Sequence, residues 1–338
     1  MRVWSETTLN GLIHIKHGYA FLGEYFSDSG EYVVLTPGNF FEKGGFRFRE
    51  GKEKFYLGEI PESFILKKHD LIVAMTEQGE GLLGSTAFIP ENSKYLHNQR
   101  LGLIDILDTE RLDKTFLYYL MNNQYIRSQI RNTSTGTKVR HTSPKSIYNV
   151  KVFLPPILEQ KKIAAILSAY DELIENNKKS IQVLENMAEE SYKEWFVRFR
   201  FPNWENTEFE KSVPKDWKIV ELKDIALECS KSTKAGEHLE NRYYLPLDVM
   251  STKAFLPDDH YDYQEAQSSL VTFEKGEIIF GAMRPYQHKV NMAPFNGITR
   301  TTCFVIKPKN DYVFSFLYLL LFQKTTIDYA MLINPNYG

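Results

Sequence analysis

Between Leu158 and Phe199 apolar residues recur every three or four positions, with no Pro or Gly among them. Ile163, Leu167, Tyr170, Ile174, Asn177, Ile181, Leu184, Ala188, Ser191 and Trp195 follow that alternation, which is the seam of a coiled coil. Pro155 and Pro156 stand before the run and Pro202 after it, where proline tolerates a helix boundary but not an interior. The pattern predicts one rod of about 40 residues and roughly 60 Å. A helix with so long an apolar stripe needs a partner helix. Asn177 interrupts the stripe near its middle, where a buried amide fixes register at some cost in stability.

The segments on either side of the rod repeat one another. MRVWSETTLNGLI opens the chain and PKDWKIVELKDIA follows the rod, so that Trp4 and Leu9 correspond to Trp217 and Leu222. HDLIVAM (69–75) and GEIIFGAM (276–283) each read as a short polar lead into a buried strand. QRLGLIDI (99–106) matches TRTTCFVIKP (299–308), which sets Arg100 opposite Arg300. KTFLYYLMNNQ (114–124) and VFSFLYLLLFQ (313–323) are both aromatic-rich helices, whose Tyr118, Tyr119, Phe316 and Tyr318 read as packing residues. Four matches in one order indicate an internal duplication whose loops have changed length. The fold class is α+β: two related domains, 1–156 and 201–338, joined by a coiled-coil-type helix over 157–200.

LPPILEQKKIAAILSAYDELI (154–174) carries the pattern PP-x-x-EQ-x-x-I-A-x-I-L, and LENMAEESYKEWFVRF (184–199) leads on into PKDWKIVELKDI. These stretches resemble the DNA-specificity subunit of type I restriction-modification systems. The resemblance implies two target-recognition domains held apart by two long antiparallel helices, each domain reading one half of a split DNA target. It implies no chemistry in this chain. Modification subunits would supply S-adenosylmethionine-dependent methylation, and restriction subunits joined through them ATP- and Mg-dependent cleavage. The spacing between the halves would put a second PP-x-x-EQ past Gly338. The second recognition domain is therefore expected to be incomplete, lacking its C-terminal part and the second spacer helix. The unpaired stripe, Ile163 to Trp195, would then take a helix from a second copy or a complementary fragment.

Charge adds the next clue. From Lys114 to Leu158 there is no Asp or Glu, although the chain holds 43 of them. Within that zone NTSTGTKVRHTSPKS (132–146) collects hydroxyls, a glycine and basic residues, the groups that contact phosphate and sugar oxygens. Arg127, Arg131, Lys138, Arg140 and Lys145 are the candidates for the DNA backbone, against the plainer reading of a solvated polar loop. Base reading needs paired donors and acceptors, which Arg offers to guanine and Asn or Gln to adenine. The loops TEQGEG (76–81) and HNQR (97–100) supply Gln78, Asn98, Gln99 and Arg100, with Glu77 and Glu80 as possible acceptors from cytosine. Their counterparts MRPYQHK (283–289) and GITR (297–300) supply Arg284, Tyr286, Gln287 and Arg300.

The remaining composition narrows the field. A formal net charge of −2 excludes a generic polyanion binder, so any attraction to phosphate must be local. Cys229 and Cys303 lie far apart and form no metal-ligand spacing, which fits a reducing, cytoplasmic compartment. The most apolar run, FSFLYLLLF (314–322), is too short to span a bilayer. MLINPNYG (331–338) looks like a methyltransferase N-P-P-Y turn but has Asn336 for the second proline and no glycine-rich loop upstream. DDHYD (258–262) offers ligand atoms on an extended segment, where neighbours point to opposite faces. The sequence thus assigns no catalytic and no metal residue. Two rival readings stay open: a recognition remnant of a single-chain restriction-methylation enzyme, and a coiled-coil adaptor for proteins.

Overall fold

A computed structural model describes residues 4–49, 51–78, 81–267 and 269–333. The chain divides into two compact units, Met1–Ile174 and Glu175–Gly338. The first contains β1 (Ser5–Thr8), β2 (Ile13–His17), β3 (Phe26–Ser27), β4 (Tyr32–Val34), β5 (Phe55–Tyr56), β6 (Leu71–Ala74) and β7 (Thr76–Glu77). It continues through β8 (Thr86–Phe88), β9 (Tyr95–Leu96) and β10 (Leu101–Ile106), then α1 (Lys114–Met121) and α2 (Gln124–Asn132). β11 (Arg140–His141), α3 (Pro144–Tyr148) and β12 (Lys151–Leu154) lead into the long helix α4 (Ile157–Tyr192).

The main sheet of this unit is antiparallel, in the order β2-β10-β6-β8. All four residues of β6 are buried, as the apolar run predicted for a strand covered on both faces. Leu71 and Val73 pack with Phe116, Leu117, Ile126 and Ile130 of the two helices, whereas Ile72 and Ala74 join a second core with Val33, Leu35 and Phe40. The period of two along a strand makes that division. A smaller sheet runs β3-β5-β4-β9, with β4 and β9 parallel.

The second unit opens with the hairpin β13 (Phe209–Glu210) and β14 (Val213–Pro214), the short α5 (Leu222–Ile225), β15 (Ala226–Glu228) and β16 (Lys231–Thr233). It continues with β17 (Tyr243–Tyr244), β18 (Tyr261–Asp262), β19 (Leu270–Phe273), β20 (Ile278–Gly281), β21 (Val290–Met292), β22 (Gly297–Arg300) and β23 (Cys303–Pro308). The helices α6 (Phe314–Phe322) and α7 (Lys324–Ile333) follow. Its sheet order β15-β23-β20-β21 repeats that of the first unit strand for strand, and β17 and β22 are parallel as β4 and β9 are. The duplication therefore holds at the level of topology. No single helix among the described residues is long and apolar enough to cross a membrane.

The strand registers correct one detail of the repeat. Leu71 pairs with Ile104 and Ala74 with Leu101; Ile278 pairs with Ile306 and Gly281 with Cys303. The place of Arg100, whose carbonyl accepts the Met75 N–H, is thus held by Thr302, which accepts the Ala282 N–H. Arg300 stands where Asn98 stands. A slip of two residues keeps every side chain on its own face, so hydrophobic patterning could not detect it.

The matched leading segments also part company. Leu9 is fully buried (0% exposed), whereas Leu222 is 44% exposed. β1 is paired along its length with β12, and residues 218–221 pair with no strand among the described residues. Trp4 donates its indole N–H to Glu159, while Trp217 packs among Phe196, Phe199 and Phe201.

The long helix starts at Ile157, and its last turn, Lys193–Val197, widens to a π-helix. Phe199 then adopts a left-handed φ of 55°, which ends the run. The unit boundary falls inside α4 because each half buries different residues. Gln160 and Ala164 are buried in the first unit, and Glu185, which accepts the Phe255 N–H, and Tyr192 in the second. Of the predicted seam, Ile163 is drawn against the first core. Leu167, Tyr170, Ile174, Asn177, Ile181, Leu184 and Trp195 remain exposed, together with Ile166, Leu173 and Met187.

Candidate nucleic-acid interface

Three of the predicted segments of the first unit meet at one peptide. Met75 donates its N–H to the carbonyl of Arg100 at 3.0 Å, and its own carbonyl accepts the N–H of Thr142 at 2.9 Å. Just beyond, β7 and β11 form a two-residue antiparallel ladder, Thr76 with His141 and Glu77 with Arg140. The end of the buried strand β6 therefore carries Gln78, Arg100 and Arg140 on adjoining backbone. Gln78, Gln99 and Arg100 are exposed and Arg140 half-buried. The basic segment folds back through a bridge between Thr135 and His141, with Gly136 at φ 95°. A side chain there would meet the Val139 carbonyl at 2.1 Å, so the glycine is required by the turn. Lys138 stands exposed near the tip.

Not every candidate side chain is available. The Arg127 guanidinium is spent on three carbonyls: Nε donates to Leu83 at 2.7 Å, Nη1 to Glu42 at 2.9 Å and Nη2 to Gly81 at 2.5 Å. Burial holds its pKa below the usual arginine value. Glu77 holds the same loop from the opposite polarity, its Oε2 accepting the N–H groups of Gly81, Leu82 and Leu83 at 2.9–3.1 Å. Its carboxylate is buried. Arg127 and Glu77 thus shape the loop, and the expectations of a phosphate contact and a cytosine acceptor give way to that support. Glu80 lies outside the described residues.

The other basic candidates spread along the helical side. Arg131 lines a groove with Glu42, Lys43, Gln124 and Arg127. Lys145, exposed on α3, borders a second groove with Gln129, Thr133, Ser143 and Asn149. Lys151, within the acid-free zone, is paired with Glu6 at 3.3 Å. Asn98 is half committed, because its Oδ1 accepts the Arg100 N–H at 3.1 Å. Tyr118 and Tyr318, two of the four aromatic residues expected to pack, do so. Tyr118 lies against Phe88, and the Tyr318 hydroxyl donates to the carbonyls of Phe255 and Val290.

In the second unit the loop after β20 takes the equivalent place. Arg284 and His288 both adopt left-handed φ, 56° and 51°, a conformation that side chains other than glycine rarely adopt. Three ties hold it: His288 Nε2 donates to the Phe322 carbonyl at 2.7 Å, Lys289 Nζ to Leu247 at 2.5 Å, and Pro285 is buried. Arg284, Gln287 and Arg300 come together in one open groove with Leu247, Asp248 and Lys289. Tyr286 does not join them; it lines a separate groove with Lys253, His288 and Phe322. Arg300 Nε donates to the Tyr244 hydroxyl at 2.8 Å, which raises the guanidinium pKa. Sequence reasoning missed Tyr244 and Asp248, since nothing in NRYYLPLD marks the one as a partner of Arg300 or the other as lining this groove.

A family model described as the type I restriction modification DNA specificity domain matches residues 1–186 and 214–334. The chain belongs to that family. The first matched region covers the first unit and the start of the second, the other lies within the second unit, and residues 187–213 fall outside both. The MjaVIII specificity subunit of Methanocaldococcus jannaschii is 27% identical over 70% of this chain and 55% of its own length. The MjaIX specificity subunit of the same organism is 34% identical over 37% of this chain and 30% of its own length. The matches thus span about half or less of those relatives. A crystal structure of a type I system S subunit from M. genitalium aligns with 98% of this chain and 80% of its own. Its TM-score is 0.57 at 15% sequence identity, a likeness of fold.

Proposed function

We propose that this chain is a non-catalytic, DNA-reading specificity subunit of a type I restriction-modification complex. The observation that carries the reading is the convergence at Met75. A buried strand ends where amide and guanidinium side chains adjoin an acid-free, hydroxyl-rich segment, and the second unit repeats the strand order beneath its own Arg and Gln groove. Phosphate contacts fix position and base-edge contacts specify sequence, and the first unit supplies both kinds of group side by side. Each unit reads one half of a split double-stranded target. Helix α4 sets the unread gap between the halves and docks the modification subunits. Its exposed stripe from Leu167 to Leu184 takes a further helix, from a second copy of this chain or a complementary fragment. S-adenosylmethionine, ATP and Mg are used by the modification and restriction subunits of a cytoplasmic complex.

Enrichment of bound duplexes from a random pool tests this. The expected result is two short constant blocks separated by unread positions. Binding without any enriched sequence, or one unbroken block, would overturn it.

A further inference from the structure

We propose that Arg300 reads a guanine in the half-site facing the second unit, and that Tyr244 is the residue that positions it. The inference rests on the DNA-reading role proposed above and gives it a base.

Tyr244 is buried on β17, which runs parallel to β22 and pairs with it directly. A phenol fixed in a sheet core is a rigid acceptor. Its oxygen takes the Arg300 Nε–H at 2.8 Å, and neither Nη of Arg300 has a hydrogen-bond partner among the described residues. With Nε occupied, the guanidinium presents its two Nη groups end-on as a parallel pair of donors. On the major-groove edge only guanine offers two adjacent acceptors, O6 and N7. Adenine sets a donor beside its acceptor, cytosine presents a donor, and thymine has a lone acceptor.

Two neighbours favour a base edge over a phosphate here. Asp248 shares the groove with Arg300, and a carboxylate repels a phosphate more than it does an uncharged base edge. Lys289, one of two other cations in the groove wall with Arg284, is tied to the Leu247 carbonyl. The first unit lacks the device. Asn98, which stands in the same register position, has its Oδ1 spent on a backbone N–H. The Arg100 side chain has no orienting hydrogen bond among the described residues. The two half-sites therefore differ in kind, with a fixed guanine in the one read by the second unit.

The full chain and two variants, Arg300→Gln and Tyr244→Phe, are each put through enrichment from a random duplex pool, followed by competition at several salt concentrations. The wild type should show one block with a constant guanine. Arg300→Gln should lose about tenfold or more of the preference at that base alone. Tyr244→Phe, which keeps the ring and every charge, should lose severalfold at the same base with an unchanged salt slope. Arg300 is exposed, and the melting temperature of both variants verifies folding. An unchanged guanine preference in Arg300→Gln overturns the inference. So does a uniform loss across all sequences with a shallower salt slope, which would make Arg300 a phosphate contact. If the wild type enriches no sequence, the DNA-reading role itself fails, and this inference with it.

Discussion

Gln160 accepts the backbone N–H of Asp113 through its Oε1 at 3.0 Å, and its Nε2 donates to the carbonyls of Arg111 and Pro155, both at 2.8 Å. One buried amide thereby fastens the first turn of the long helix to the end of β12 and to the residue that caps α1. The EQ of the PP-x-x-EQ pattern acquires a physical meaning from this. Replacing Gln160 by Leu leaves one N–H and two carbonyls without partners, at a cost of roughly 2–4 kcal/mol. Urea unfolding of the full chain should show that loss for Gln160→Leu. Glu159→Ala, which removes one exposed contact with Trp4, should show under about 1 kcal/mol.

Arg127 supports the loop at 81–83, whereas Lys138 and Arg140 are the residues proposed to contact phosphate. Arg127→Ala should weaken DNA binding by releasing the Gly81 and Leu83 carbonyls, and it should lower thermal stability as well. Lys138→Ala with Arg140→Ala should leave stability nearly intact. That pair should reduce the slope of log affinity against log salt by about 2. Titrations at several salt concentrations distinguish the two kinds of loss.

His97 makes the first unit sensitive to acid. Its ring is buried, Nε2 donates to the Leu101 carbonyl at 3.0 Å, and burial pushes its pKa down to about 4. The unfolded chain, with an ordinary value near about 6.5, binds more protons between those limits. Stability is therefore whole above about pH 6.5 and falls as pH drops towards 4, by roughly 3 kcal/mol from this group. His97→Gln keeps an N–H for Leu101 and should flatten that part of the profile measured by denaturant unfolding.

The exposed stripe on α4 predicts association. Light scattering on the wild-type chain should give a mass that rises with concentration. Leu167→Glu combined with Leu184→Glu, both on exposed positions, should hold it at the monomer value. A monomer in both cases would sink helix pairing between copies.

Much of this architecture was legible in the residues. The absence of Pro and Gly over 158–199 announced the helix, and LIVA and IIFG announced strands buried on both faces. The acid-free zone drew attention to 132–146, although it gave no sign that Arg140 would pair with Glu77. What stayed hidden depends on long-range packing. Arg127 reads as a surface cation until the carbonyls of Glu42, Gly81 and Leu83 close around it. The Arg100–Arg300 match looked sound because a two-residue slip costs nothing in hydrophobic pattern. Tyr244 gained a role only through its neighbour on β22, a partner 56 positions away.

The proposed function requires two homologous units to dock on different parts of one duplex. Photo-crosslinking on an enriched duplex shows where each unit sits, with benzoylphenylalanine replacing Gln78 in one preparation and Gln287 in another. The two cross-links should map to different constant blocks on either side of the unread gap. Cross-links from both positions to the same block, or none to DNA from either, would rule out that arrangement.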